Sequence, residues 1–264
     1  MSALLHTRSV EKPWGRDVLP APFSAPPGSR IGEVWFEPVP PLAQLLVKYI
    51  FTSEALSVQV HPSDAQVPGH GKEECWLVIA AEPGAKLGIG FNGPVGATAM
   101  RAAALDGSIE QMMTWHAVQP GDFYYIPANT VHAIGTGIGL IEVQQNSDIT
   151  YRLYDYGRPR DLHLDQGVAV ARGGPYDPAC HRHVPERGEI TLADGPKFRL
   201  DRLDGPASAA VRARYADRPL LMIPRSAGAS VGGEAIAPGA CALAASLADV
   251  ALEAGALCLI AQPV

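Results

Sequence analysis

Residues 121–132 carry the most informative pattern of this chain, and they read Gly121-Asp122-Phe123-Tyr124-Tyr125-Ile126-Pro127-Ala128-Asn129-Thr130-Val131-His132. The apolar run over 123–126 predicts a strand. Pro127 and Asn129 are typical of a tight turn. The stretch therefore predicts a strand that ends in a turn and presents His132 just beyond it.

A second stretch predicts a strand with one polar face, and it reads Leu56-Ser57-Val58-Gln59-Val60-His61-Pro62. Side chains of a strand alternate between its two faces, so Ser57, Gln59 and His61 share one face. A solvent-facing strand would show the same alternation. This stretch alone therefore does not identify a site.

A third stretch adds a carboxylate, and it reads Gly71-Lys72-Glu73-Glu74-Cys75-Trp76. It enters another apolar strand, in which an early start would place Lys72 and Glu74 on a common face. Two histidines and a glutamate are ligands that suit zinc or another first-row divalent metal. The sequence thus offers His61, Glu74 and His132, with the amide oxygen of Gln59 as a fourth ligand. The alternative is that both histidines are ordinary surface or hydrogen-bonded residues.

Short apolar stretches separated by turn residues predict a mainly β protein. The 264 residues include 27 Gly and 24 Pro, which punctuate these stretches at close intervals. The predicted strands cover 44–51, 56–60, 75–80, 123–126 and 139–144. Short helices are predicted over 99–104 and 108–113, and the Pro-rich segment 20–29 is predicted to be a loop.

A break in the strand pattern suggests a domain boundary. Gly157-Arg158-Pro159-Arg160 interrupts the pattern, and strand-like pieces resume from Gly188 onward. We therefore predict a catalytic domain with the metal site over 1–157 and a smaller, supporting β-domain over 158–264. The alternative that the chain consists of two related β-units of different length remains open.

Composition narrows the partners and the compartment. The formal net charge is -6, and the basic residues form no run that could follow a phosphate backbone, so we expect no nucleic-acid partner. One or two basic side chains in a pocket can still bind a phosphate. The N-terminus lacks the long apolar core of a signal peptide, and Asp249 and Glu253 interrupt the apolar stretch 241–260. We expect a cytoplasmic protein without a membrane partner, and the sequence does not indicate its oligomeric state.

The cysteines predict free thiols. Cys75, Cys180, Cys241 and Cys258 are scattered and form no CxxC pair, which argues against a thiolate zinc site and against a disulfide framework. We expect them to be mostly buried.

Taken in order, the motifs resemble those of a known superfamily. Four residues match the second cupin motif: Gly121, Pro127, Asn129 and His132. The Gln-x-His-Pro sequence at 59–62, Gly-Lys-x-Glu-Cys-Trp at 71–76 and Tyr-Arg-Leu-Tyr-Asp-Tyr at 151–156 resemble type I mannose-6-phosphate isomerases of the shorter bacterial branch. The resemblance spans residues 11–156. It implies a cupin (jelly-roll) β-barrel with a few short helices and a smaller C-terminal β-domain, which a degenerate second cupin would also fit.

The resemblance also implies roles for individual residues. One divalent metal ion, with zinc expected, would be held by Gln59, His61, Glu74 and His132. The sugar-phosphate site would be lined by Ser57, Lys72 and Arg152. Lys72 and Arg152 would also act in catalysis, together with Glu142, which falls where a proposed acid/base carboxylate lies.

The implied reaction interconverts mannose 6-phosphate and fructose 6-phosphate through an enediol. It needs a group that moves a proton between C2 and C1, stabilisation of the sugar oxygens and a cationic anchor for the phosphate. Glu142 alternates with Gln144 in an apolar strand. A carboxylate facing inward without a partner is costly, which supports a function for Glu142.

Two alternative functions remain open at this point. The first is a non-haem iron oxygenase, because histidine and carboxylate ligands also serve iron. Gln59 in place of a histidine, with Lys72 and Arg152 to bind an anion, argues against it. The second is a sugar-binding or regulatory cupin without turnover. The presence of the metal ligands together with all candidate substrate residues argues against that alternative.

Overall fold

The computed structural model describes residues 3–264, whose strands form four sheets. The largest is an antiparallel sheet of seven strands. In spatial order these are β13 (His181–His183), β9 (Asp122–Ile126), β6 (Glu74–Ala81), β11 (Ile138–Gln145), β4 (Leu45–Phe51), β3 (Ile31–Phe36) and β2 (Thr7–Arg16).

A five-stranded sheet faces the seven-stranded sheet and completes a barrel with it. Its strands are β12 (Tyr151–Tyr154), β5 (Val58–Val60), β10 (His132–Ile134), β7 (Lys86–Phe91) and β8 (Met113–Ala117). Its outer face is covered by α1 (Ala97–Asp106), α2 (Ile109–Met112) and α3 (Leu164–Val170), which bury a cluster that includes Val58, Val60 and Leu153.

The C-terminal part builds the other two sheets. One has six strands: β1 (Ala3–Leu4), β19 (Ala242–Ala244), β16 (Leu220–Pro224), β21 (Leu257–Pro263), β15 (Phe198–Asp204) and β14 (Ile190–Asp194). The other has three: β18 (Glu234–Ala235), β17 (Ala229–Val231) and β20 (Val250–Leu252). A hydrophobic cluster joins these two sheets and α4 (Ala209–Tyr215).

Both faces of the seven-stranded sheet are buried at β4 and β11, which explains why these two strands are mostly apolar. In β4 the side chains of Tyr49 and Phe51 belong to a cluster shared with Phe198 and Leu259 of the six-stranded sheet. Ile50, on the opposite face, packs inside the barrel. Polar side chains on this inner face therefore point into the barrel rather than to solvent.

The prediction of a mainly β fold with a few short helices is confirmed. The five predicted strands correspond to β4, β5, β6, β9 and β11, and the two predicted helices correspond to α1 and α2. The last predicted residue of the second helix, Met113, instead begins β8. Three of the four cysteines are buried, and all four are free.

The proposed division of the chain at residue 157 remains a prediction. Strand pairing crosses this position in both directions, because β1 pairs with β19 and β13 pairs with β9. Between residues 3 and 264, no helix is both long and apolar enough to cross a membrane.

Candidate metal centre and active site

Three side chains that the sequence proposed as metal ligands come together inside the barrel. One ligand atom from each of His61, Glu74 and His132 lies within 4.8 Å of the others. His61 Nε2 is 3.6 Å from Glu74 Oε2, and His132 Nε2 is 3.4 Å from Glu74 Oε1. All three side chains are buried. Two imidazole nitrogens and a carboxylate in this arrangement can hold a divalent metal ion.

Local backbone structure brings these three residues together. Glu74 begins β6 and His132 begins β10, whereas His61 directly follows β5. Asn129, in the turn before β10, adopts φ 72°, a left-handed conformation that asparagine tolerates better than most residues. Its backbone N–H donates to the carbonyl of His61 at 2.8 Å, so the turn that leads to one histidine is bonded to the other.

Hydrogen bonds on the far side of each ring orient both histidines. His61 Nδ1 lies 2.8 Å from the carbonyl oxygen of Ile149, and His132 Nδ1 lies 2.9 Å from that of Thr130. A carbonyl only accepts, so each Nδ1 carries the proton and each Nε2 presents a lone pair toward Glu74. The hydrogen bonds therefore hold both histidines in the tautomer that can bind a metal ion through Nε2.

The electrostatics of the cluster favour the protonation states that ligands need. Burial, together with the nearby Lys72 charge, lowers the pKa of His61 well below its ordinary value. Burial also lowers the pKa of His132, despite the opposing Glu74 charge. For Glu74, burial acts to raise the pKa, but Lys72 and His132 outweigh it and the pKa is lowered. Neutral imidazoles and an ionised carboxylate are the ligand forms that a metal requires.

Gln59 links the metal cluster to the predicted substrate residues. It lies between His132 and Arg152 in neighbouring strands, directly opposite each of them. Its amide nitrogen is 3.3 Å from His132 Nε2, and its amide oxygen accepts from the Ser57 hydroxyl at 3.1 Å. A half-turn of the amide would direct the oxygen toward the cluster as a further ligand.

Lys72 lies at the edge of the cluster although β6 begins only at Glu74. Its Nζ is 2.8 Å from Glu74 Oε2 and 3.1 Å from His61 Nε2. Burial acts to lower the pKa of Lys72, but the Glu74 and Glu142 charges outweigh it and the pKa is raised. The site thus holds a cationic ammonium beside the ligand carboxylate.

A cavity of about 400 Å³ opens beside the cluster. Its wall includes every predicted substrate-binding and catalytic residue, namely Ser57, Lys72, Glu142 and Arg152, and also Gln59. Basic side chains outnumber acidic ones on its wall: the basic ones are Lys12, Lys48, Lys72, Arg152 and Arg160, and the acidic ones are Glu33, Glu142 and Asp148. Its size and excess positive charge suit a small anionic ligand.

Glu142 has partners that the sequence did not reveal. Lys48 Nζ lies 3.0 Å from Glu142 Oε1 and donates to Gln144 Oε1 at 2.6 Å. Trp76 Nε1 donates to Glu142 Oε2 at 2.9 Å. The inward carboxylate is therefore paired, so its burial alone no longer argues for a catalytic function.

Arg152 belongs to the cavity wall rather than to a surface ion pair. One guanidinium nitrogen donates to the carbonyl of Asp161 at 2.7 Å. Its Nε is buried and finds no hydrogen-bond partner within residues 3–264. Neither Asp148 nor Asp155 pairs with it in this part of the chain, since Asp155 binds Arg158 and Arg160.

Sequence reasoning missed three basic residues of the cavity, namely Lys12, Lys48 and Arg160. Lys48 is the single charged residue in the apolar strand β4, a signal that could have marked it as an inward-facing partner. Arg160 lies in the segment that was interpreted only as a break in the strand pattern. Its Nε donates to Asp155 Oδ2 at 2.6 Å, and Asp155 is itself buried. This pairing fixes the Arg160 side chain at the cavity wall.

Comparison with known proteins agrees with the resemblance that the sequence motifs indicated. No family model matches the chain. The chain is 35% identical over 211 residues to mannose-6-phosphate isomerase ManA of Bacillus subtilis, an alignment that covers 74% of this chain and 65% of the relative. It is 41% identical over 136 residues to mannose-6-phosphate isomerase of Streptococcus mutans, covering 48% of this chain and 43% of the relative. The chain is therefore similar in sequence to mannose-6-phosphate isomerases over part of their length.

These alignments span about two fifths to two thirds of the length of the two mannose-6-phosphate isomerases. Solved structures extend the likeness of fold over nearly the whole chain. Mannose 6-phosphate isomerase from Bacillus subtilis superposes with a TM-score of 0.76 at 23% identity, covering 98% of both chains. A mannose 6-phosphate isomerase described as holo and zinc bound superposes with a TM-score of 0.71 at 14% identity, covering 100% of both chains. The resemblance inferred from the motifs and the cupin-like fold are therefore confirmed.

Proposed function

We propose that this protein is a metal-dependent aldose-ketose isomerase that interconverts mannose 6-phosphate and fructose 6-phosphate. The observation that carries the proposal is the position of the His61–Glu74–His132 cluster beside a cavity with an excess of basic side chains. A ligand set without phosphate anchors would suit many cupin reactions. The combination with Lys72 and Arg152 suits a phosphorylated sugar.

The proposed cofactor is one divalent metal ion, with zinc as the native metal. His61, Glu74 and His132 would hold it, and the Gln59 amide oxygen would be a fourth ligand. A zinc-bound isomerase of the same fold supports this choice. When bound, the metal would supply a positive charge that polarises the sugar oxygens next to the reacting carbons.

The proposed substrate contacts follow from the cavity wall. Arg152 lines the cavity and makes one side-chain hydrogen bond among the described residues, to Asp161, so other N–H groups of its guanidinium can donate to an anion. Ser57 and Lys72 face the same cavity. We assign these three residues to binding of the sugar phosphate, and Lys72 and Arg152 also to stabilisation of negative charge that develops on the sugar oxygens.

The proposed proton carrier is Glu142, which would take a proton from C2 of the aldose and return it to C1. Its carboxylate lines the cavity and is oriented by Lys48 and Trp76. These two donors fix the carboxylate plane while one lone pair on each oxygen stays free to accept a proton. Burial of Glu142 limits the access of water that would otherwise exchange with the transferred proton.

The proposed domain roles assign chemistry to residues 1–157 and support to 158–264, although Arg160 of the second range also lines the cavity. A cytoplasmic location remains a prediction, and so does the absence of nucleic-acid and membrane partners.

A coupled assay for fructose 6-phosphate formed from mannose 6-phosphate tests the proposal. The purified protein is assayed as prepared, after chelation, and after zinc is added back. Glucose 6-phosphate and unphosphorylated mannose are comparison substrates, and their ketose products are measured directly by chromatography. We expect turnover that is lost on chelation, restored by zinc and strongest with mannose 6-phosphate. Binding of mannose 6-phosphate without conversion would instead support a sugar-binding protein, and oxygen consumption with bound iron would support an oxygenase.

A further inference from the structure

A turn of the C-terminal part contacts the loop that carries the metal ligands. Residues 195–197 connect β14 to β15, and Lys197 Nζ lies 2.6 Å from Asp64 Oδ2. Asp64 belongs to the segment 62–73 between β5 and β6, which we call the ligand loop. His61 precedes this loop and Glu74 follows it.

Asp64 closes the ligand loop upon itself. Its Oδ1 accepts from the backbone N–H of Gly71 at 2.9 Å, and the N–H of Lys72 donates to the carbonyl of Pro62 at 3.0 Å. A Cβ at Gly71 would overlap the Asp64 backbone, so the two ends of the loop are in close contact. Asp64 therefore ties the start of the loop, which follows His61, to its end, where Lys72 lies.

The same turn reaches the other end of the ligand loop through a tyrosine. The Tyr125 hydroxyl donates to the Glu73 carboxylate, and a Cβ on Gly195 would overlap that hydroxyl. Gln145 connects the two ends, because its Oε1 accepts from the Glu73 N–H at 2.9 Å and its Nε2 donates to Asp64 Oδ2 at 3.1 Å. The turn thus contacts both flanks of the loop within one closed network.

The character of the ion pair indicates what this network contributes. The side chains of Lys197 and Asp64 are 34% and 30% exposed. Ion pairs with this much access to water add little to global stability. Their geometry can still matter, because residues that orient metal ligands affect metal affinity and rate far more than they affect unfolding.

We propose that Lys197 is a positioning residue, through which the C-terminal part holds the ligand loop and sets the placement of His61 relative to Lys72 and Glu74. Its kinetic consequence rests on the proposed function, whereas its consequence for metal affinity does not. Lys197 contacts neither the metal cluster nor the cavity, so it acts only through Asp64.

The test compares Lys197→Met with Lys197→Arg in the full chain. Lys86→Met is the matched control, since Lys86 is an exposed lysine whose side chain makes no hydrogen bond or ion pair within residues 3–264. Three properties are measured for each variant. Zinc affinity is measured by competition with a chromophoric chelator, and kcat and KM are measured with mannose 6-phosphate. The thermal midpoint of unfolding is measured on the metal-free protein.

We expect Lys197→Met to weaken zinc binding and to lower kcat/KM by about tenfold each, with the thermal midpoint close to that of the wild type. Lys197→Arg keeps a donor to Asp64, so we expect its zinc affinity and its kcat/KM to stay close to those of the wild type. Asp64→Asn weakens zinc binding to a similar extent, and combining it with Lys197→Met adds little, because both act through one contact.

Zinc affinity of Lys197→Met within about twofold of the wild type overturns the proposal. An equal loss in Lys86→Met overturns it as well, because the effect would then be unspecific. If the wild type binds zinc but does not convert mannose 6-phosphate, the proposed function fails, and the zinc affinities of the variants still decide the role of Lys197.

Discussion

Lys48 and Glu142 lie directly opposite each other on neighbouring strands, with 3.0 Å between Nζ and Oε1. Both side chains are buried, and the ammonium also sits 4.7 Å from the centre of the Trp35 ring. Trp76 faces Glu142 from the other neighbouring strand and donates to its second oxygen. The carboxylate is thus fixed by donors on both sides at the wall of the cavity.

Removing the ammonium leaves a buried carboxylate without its charge partner. We expect Lys48→Met to lower the free energy of unfolding by about 3 kcal/mol, the lower end for breaking a buried ion pair, because the cavity gives the carboxylate some access to water. Lys48→Met combined with Glu142→Gln should recover much of this loss. Urea unfolding of the two single variants and the double variant measures the coupling, and additive losses would show that the pair does not act as a unit.

Substituting the proposed proton carrier should affect turnover rather than metal content. Glu142→Gln keeps the volume and the hydrogen-bond acceptor for Trp76 but loses the proton-accepting carboxylate. We expect kcat to fall by a factor on the order of a hundred to ten thousand, with one zinc still bound. Steady-state kinetics and metal analysis check this, and near-normal turnover with zinc bound would move the proton transfer to another residue.

The ligand cluster was accessible to sequence reasoning because its signals are local. The alternation around Gln59 and His61 and the turn before His132 each lie within one short stretch. Lys48 was missed for the opposite reason. Its partner Glu142 is 94 positions away along the chain, and the pairing of β4 with β11 is not encoded in either strand alone.

Substituting Asp155 tests the basic cavity wall without changing a residue that is proposed to act at the reacting carbons. This buried carboxylate holds Arg158 and Arg160, and only Arg160 lines the cavity. We expect Asp155→Asn to raise the KM for mannose 6-phosphate about tenfold with a smaller change in kcat, because loss of one charge-assisted bond network frees the Arg160 side chain.

Comparing substrates isolates the phosphate contribution to that effect. If Arg160 binds the phosphate, any slow conversion of unphosphorylated mannose should be equally slow in Asp155→Asn and in the wild type. An equal loss with both substrates would show that the substitution disturbs the cavity as a whole.

The packing of the C-terminal part against the seven-stranded sheet could not be predicted from the sequence. Its apolar strands indicated a second β-unit, but not that Tyr49 and Phe51 of one sheet would share a core with Phe198 and Leu259 of another. The contact of Lys197 with Asp64 depends on that packing. Long-range sheet stacking is set by many weak contacts together, so no short motif predicts it.

Titration of the metal-free protein with zinc, with isomerase turnover followed at each step, tests the central claim most directly. Turnover should rise in proportion to bound zinc and level off at about one ion per chain, as expected for one site with these three ligands. Glu74→Gln should bind zinc weakly and stay inactive over the same range, while His6→Ala, which removes an exposed histidine that is not part of the cluster, should follow the wild type. Turnover that is independent of zinc, or a Glu74→Gln variant that is activated as fully as the wild type, would contradict a metal-dependent isomerase built on this cluster.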